Sequence, residues 1–323
     1  MRASIAALDA LDLRGGMPAR PAPAHAVRMK SRSPFLAALV AALLLGVALA
    51  AQALEPPGAA AAALQARRQE LQSALRSSPF GEPLLLTSRE RADRFEGDVH
   101  AEPSHSFETV AAALRSAPAV CELMFLHLNV HACRPAEGNA LVVVAGPKRS
   151  GAAGMTAQMR YTMHVEADEP AYLRVVLTAP TGPLATSDYR IVFELVPVDA
   201  GHSFIHFGFA HNAGGLARLA MQAYLATAGR DKIGFTVVGT EADGTPRHLR
   251  GERASVERNV MRYYLALLAH CGARSGSPEE RLQARLRAWF ALTERHAAQL
   301  HEYDLAEYLQ EKQQDLAREA AAR

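Results

Sequence analysis

Cysteine is scarce in this chain, with three residues in 323. That is too few for a disulfide-built scaffold, and the spacing matches no trusted zinc site. Charge of one sign is also missing: the formal net charge is +2, and basic residues alternate with acidic ones. No basic stripe suited to nucleic acid results. There is no G-x-S-x-G turn, and Ser104-His105-Ser106 is not a triad signature, which disfavours a conventional hydrolase. The stretch "GPKRSGAAGM" at 146–155 is glycine-rich and basic. It lacks the Gly-Lys-Ser/Thr ending of a phosphate-cradling loop and reads as a strand connection. No cofactor fingerprint and no internal repeat are recognisable.

One long apolar run is present. Met29-Lys30-Ser31-Arg32 leads into Phe35–Ala50 and then Ala51-Gln52-Ala53, the layout of a secretory signal with cleavage predicted after Ala53. The Ala-, Pro- and Arg-rich stretch before Met29 reads as an extension upstream of the true start. Residues 1–53 are therefore set aside from the fold, and an exported, periplasmic protein is expected. The rival reading is an uncleaved membrane anchor, since the run is long for a signal core. No cysteine follows it, which argues against a lipoprotein. Export permits a disulfide, and Cys121 with Cys133 is the natural pair because they flank one short element. Such a bridge would stabilise by about 2–3 kcal/mol. The other reading is three buried thiols, and Cys271 is unpaired in both.

Residues 54–77 read as a leading helix or linker, with Leu64, Leu71 and Leu75 near helical spacing. The turn residues of "SSPFGEP" then open a domain near Ser78. "GDVHAEPSH" reads as a first strand. Ser106 caps a short helix, and Pro118 begins a second. Six alternating runs follow as strands: "LNVHACRP", "NALVVVAGPK", "MRYTMHVEA", "AYLRVVLTA", "DYRIVFELVP" and "SFIHFGFAH". Gly214-Gly215 opens a helix ending at Gly229. A hairpin around Asp243-Gly244 precedes a helix with Ser255 as its expected cap, and Pro278 starts a charged helical tail with a break near Tyr303.

Alternation gives the sheet two faces. Met159, Tyr161, Met163, Val165, Tyr189, Phe193, Phe207 and Phe209 fall on an apolar face. Arg160, His164, Glu166, Arg174, Asp188, Arg190, Glu194, His202 and His206 fall on a face expected to be solvated. The aromatic set, with Met163 and Met221, is either ordinary core or the wall of a pocket closed by helices. His211, on the apolar parity at a strand end, is the candidate polar group at its mouth.

In "GERASVERNVMRYYLALLAHC", Val256, Val260, Tyr263, Leu267 and Cys271 recur at helical spacing and are expected to face the core. Arg258 and Arg262 stand four apart on another face, where like charges repel mildly. Each either pairs with a carboxylate as a clamp or holds an anionic ligand end. Glu257 lacks the positioned partner that acid–base work needs. His127, His131 and Cys133 share parity without a metal spacing, so no metal is assigned.

The element order, with "ATSDYRIVFELVP" followed by "SFIHFGFAH", resembles the START-related helix-grip superfamily, which includes polyketide cyclase-like and lipid-transfer domains. The resemblance covers about Ser78 to Gly272, and "GRDKIGFTVVG" looks like the mark of an exported bacterial subgroup. It implies an α+β fold: a seven-stranded curved antiparallel sheet, two short helices after the first strand, and C-terminal helices over the apolar face. It also implies a hydrophobic ligand held by Tyr161, Tyr189, Phe193, Phe207 and Met221. The expected partner is an apolar or amphipathic small molecule, a lipid included, with Arg258 or Arg262 on a charged end. Two rivals stand. One is a protein-interaction module acting through the tail 278–323, within the charged helical segment 273–323, where Leu282, Leu286, Trp289, Phe290 and Leu300 form a stripe. The other is a cyclase- or hydratase-type enzyme using His211 or Glu257.

Overall fold

The computed structural model describes residues 58–147, 156–215 and 229–322, with residues 218, 219, 222, 223 and 227 between the last two stretches. The signal-like segment, most of "GPKRSGAAGM" and Met221 with much of its expected helix lie outside the described residues.

The first helix, α1 (Ala59–Arg76), precedes strands β1 (Leu84–Arg91) and β2 (Arg94–Ala101). Helices α2 (Phe107–Leu114) and α3 (Ala117–Phe125) follow. Ser106 and Ser116 cap them by accepting from the backbone N–H groups of Thr109 and Ala119. Strands β3 (Val130–Ala136), β4 (Ala140–Ala145), β5 (Ala157–Glu169), β6 (Tyr172–Thr181), β7 (Thr186–Pro197) and β8 (Ser203–Ala213) form a meander. A separate hairpin, β9 (Val237–Thr240) and β10 (Pro246–His248), leads into α4 (Gly251–Gly272). The tail holds α5 (Pro278–Glu294), the short α6 (Ala297–Leu300) and α7 (Leu305–Ala321).

Strands β1 to β8 make one antiparallel sheet in the order β1-β2-β8-β7-β6-β5-β4-β3. The sheet therefore has eight strands, not seven. The addition is β1, whose "LLLTSRER" alternates only in its first half and ends in charge, a weak strand signal. The helix after the hairpin begins at Gly251, with Arg250 at the position before it and no side-chain cap, a turn earlier than the Ser255 expectation.

The sheet's inner face and α4 form the main core, a helix-grip arrangement. Val256, Val260, Tyr263, Leu267 and Cys271 are all buried, as their spacing requires. The close approach depends on Gly97 in β2: a Cβ there would meet Val256 Cγ1 at 2.7 Å. Val165 departs from the expected pattern. It is 37% exposed, beside a register shift between Val165 and Ala167. A bulge of this kind ends a strand's contribution to a face.

The outer face is not simply solvated. Leu64 and Leu75 of α1 pack with Tyr172, Val196 and Phe204 in a second apolar cluster. Arg68 of α1 also meets Glu102 at 2.7 Å. The tail likewise packs on its own domain, with Leu286, Trp289, Leu300 and Tyr308 buried. The capping box of Ser277 and Glu280 starts α5, and Asp304 with Glu307 starts α7. The chain turns between these helices around Tyr303.

Candidate aromatic site and its polar groups

Tyr161, Met163, Phe193, Phe207 and Phe209, from β5, β7 and β8, share the inner face, and each is no more than 7% exposed. Register sets two of them side by side: Phe193 pairs with Phe207 across β7 and β8, and their rings stack at 4.9 Å. Tyr263 enters from α4, with its ring 6.2 Å from Phe209 and 6.3 Å from Phe207. Its other neighbour is His127, stacked at 4.5 Å. Burying each of these rings contributes about 1.5–3 kcal/mol to folding.

Tyr189 and His211 stand at the edge of this wall, half-buried and stacked at 5.3 Å. The far side of His211 faces Phe95 at 5.8 Å. Gly182 makes room for the Tyr189 ring, which a Cβ at that position would strike. The Tyr189 hydroxyl is engaged with Thr186 Oγ1 at 2.7 Å.

One polar group on this wall is not engaged. His211 Nδ1 is buried without a hydrogen-bond partner among the described residues. Burial, aided by the nearby Arg94 charge, pushes the His211 pKa down to about 4, so the ring is neutral near pH 7. Burial also raises the pKa values of Tyr161 and Tyr263. The Tyr263 and Tyr189 hydroxyls add to the shift at Tyr161, and Tyr189 adds to that at Tyr263. The Tyr161 and Tyr189 rings meet edge-on at 6.4 Å, and Phe209 lies 6.0 Å from Tyr189 and 6.2 Å from Tyr263.

The remaining expected residues are placed elsewhere. Arg258 donates to Ile233 O at 3.0 Å and to Ser255 Oγ at 2.9 Å. Arg262 donates to Leu300 O and pairs with Glu302, each at 3.2 Å, and so ties α4 to the tail. Neither is brought to the aromatic wall by these bonds. Glu257 is fully buried and accepts from Ser88 Oγ, Thr236 Oγ1 and the Phe235 N–H, each at 2.6 Å, and from the Thr236 N–H at 3.0 Å. Four donors occupy its two oxygens, so Glu257 holds β1 and the 233–236 segment to α4. A disulfide joins Cys121 of α3 to Cys133 of β3, and Cys271 is a buried thiol. His131 contacts Asp315 at 3.1 Å. No group that could hold a metal occurs among the described residues.

Sequence patterning missed a second constellation on the outer face. His206 bonds Glu194 through Nδ1 at 2.8 Å and Asp98 through Nε2 at 2.9 Å. Despite burial, these carboxylates raise its pKa to about 9. His206 and its neighbours Tyr172 and Arg174 hold Glu194 down at about 2. His100 stacks on His206 at 4.5 Å and is pushed down to about 3 by burial and that neighbouring charge. A groove of about 560 Å³ between α1 and the sheet is lined in part by Arg67, Glu166, Tyr172, Arg174, Glu194 and His206. Arg174 pairs with both Glu166 and Glu194, so these charges satisfy one another. The network depends on β2 lying beside β8, a pairing between distant strands that local alternation does not encode.

No protein family and no curated protein matches the chain. Among solved structures it is similar to a START superfamily protein from Mycobacterium smegmatis, at 14% identity and TM-score 0.29, covering 42% of this chain and 95% of that one. It is similar to norcoclaurine synthase from Thalictrum flavum in complex with dopamine and hydroxybenzaldehyde, at 14% identity and TM-score 0.30, covering 45% and 88%. A third is the Zhui aromatase/cyclase from Streptomyces sp. R1128, at 10% identity and TM-score 0.30, covering 63% and 94%.

Proposed function

We propose that the protein is an exported START-like domain that binds a hydrophobic or amphipathic small molecule, lipids foremost, between the inner sheet face and α4. One observation carries this reading. His211 Nδ1 is buried without a hydrogen-bond partner among the described residues, in an otherwise apolar wall that also carries the Tyr161 and Tyr263 side chains. An unsatisfied buried polar group costs about 1–3 kcal/mol, and a ligand with one hydroxyl or carbonyl would remove that cost. The wall's apolar area supplies the rest of the binding energy, at about 25 cal/mol per Å². Tyr189 and His211, the least buried members, form the mouth.

The test is displacement of a fluorescent apolar probe by fractionated lipid extract, in wild type and in a Tyr161→Phe/Tyr263→Phe variant. The variant should lose about 5–10-fold in affinity for the displacing fraction, as expected for one neutral hydrogen bond. Equal affinities would exclude the hydroxyls from binding. The tail-mediated interaction reading has less support, because Leu286, Trp289 and Leu300 are buried in the domain. The enzyme reading loses Glu257 to its four donors and leaves His211 without the positioned partner that proton transfer needs.

A further inference from the structure

Residues 122–132, enclosed between Cys121 and Cys133, form the turn from α3 into β3. The tail helix α7 is fastened to this short ring. The Tyr308 hydroxyl donates to Leu126 O at 2.7 Å. Lys312 Nζ donates to His127 O at 2.8 Å and to Val130 O at 2.6 Å. Asp315 meets His131 Nδ1 at 3.1 Å. Lys312 also sits 4.5 Å over the Phe125 ring, inside the same span. These bonds come from residues 308, 312 and 315, one face of α7.

Lys312 makes the fastening conditional. Its side chain is 1% exposed, and the carbonyls of His127 and Val130 replace part of the water it has lost. An ammonium deprived of both water and acceptors is strongly unfavourable in a protein interior. If the ring loosens, α7 is therefore better off solvated than docked. Apart from the ring, Tyr308 packs on Trp289 at 5.0 Å and on Phe290 at 6.0 Å. Those contacts lie within the tail itself, and outside the ring Glu319 of α7 adds a longer ion pair to Arg134 of β3, at 3.8 Å.

We propose that the thiol–disulfide state of Cys121 and Cys133 switches the tail helix α7 between docked and released. The release step uses a protein dithiol as reductant. Its thiolate attacks Sγ of Cys133, the partly exposed member, while Cys121 is buried. The S–S bond breaks, and Cys121 leaves as a thiolate and takes a proton. The reductant's second thiol then displaces Cys133 as a thiol and closes the reductant's own disulfide, so two electrons and two protons pass to this protein. Cys271, whose thiol burial pushes up to about 12, takes no part.

The test is amide hydrogen exchange on the full chain, oxidised and after treatment with dithiothreitol, with a Cys121→Ser/Cys133→Ser variant alongside. Reduction and the variant should each speed exchange at least tenfold across 305–321, leaving β6–β8 within twofold. Unchanged protection of 305–321 would overturn the switch. Equal loss across the sheet and the tail would also overturn it, because the bridge would then stabilise the whole domain.

Discussion

His206 and His211 stand five residues apart on β8, on opposite faces of one sheet, and differ in nearly every property. His206 has both ring nitrogens occupied by carboxylates and titrates at about 9. His211 has an unpartnered Nδ1, lies between two aromatic rings and titrates at about 4. A polar group whose bonds are all made within the chain is holding something together. One left unpaired at a cost of about 1–3 kcal/mol is available to something else. By this criterion the outer network, Glu257 and the arginines of α4 are architecture, and the inner wall is the proposed site.

The largest expected effect is at Glu257. Glu257→Ala leaves four donors without their acceptor and should cost about 3–5 kcal/mol in denaturant unfolding. A loss below about 1 kcal/mol would break the pairing criterion. Next comes His206→Gln. The folded pKa of His206 lies above its ordinary 6.5, so its contribution is complete below 6.5 and lost as pH rises through about 9. The variant should be weaker than wild type by about 2–3 kcal/mol at pH 6, and the gap should close by about pH 10. The gap between the two proteins is the readout, because buried Lys312, pushed down to about 7, titrates over the same range in both. The smallest effect is on the inner face. Removing the hydroxyls by Tyr161→Phe and Tyr263→Phe should change stability by less than about 0.5 kcal/mol each, since the rings and their packing are kept. A cost above about 1.5 kcal/mol would mean those hydroxyls are structural.

Much of the fold was legible because the meander strands alternate cleanly. Met159, Tyr161 and Met163 announce one face, and Ile205, Phe207 and Phe209 announce the same face on β8. The stripe from Val256 to Cys271 marked the buried side of α4 equally well. Strand β1 was not legible, since "TSRER" carries polar residues at successive positions and its pairing with β2 stabilises it from outside. At the site, parity brought Tyr161, Phe193, Phe207, Phe209 and His211 together on the page. Tyr263 was read only as core, because sequence spacing shows that a side chain points inward but not what it meets. The partners of Arg258 and Arg262 were not legible for a related reason. Those partners, Ile233, Leu300 and Glu302, come from segments whose docking only the tertiary structure reveals. No helix among the described residues is long and apolar enough to cross a membrane.

The most direct measurement is native mass spectrometry of protein purified from its native host, followed by organic extraction of whatever accompanies it. The expected result is a stoichiometric apolar adduct released on denaturation and depleted in the Tyr161→Phe/Tyr263→Phe variant. A clean apo mass, with no uptake from a lipid extract, would contradict the account and leave the aromatic wall as plain core.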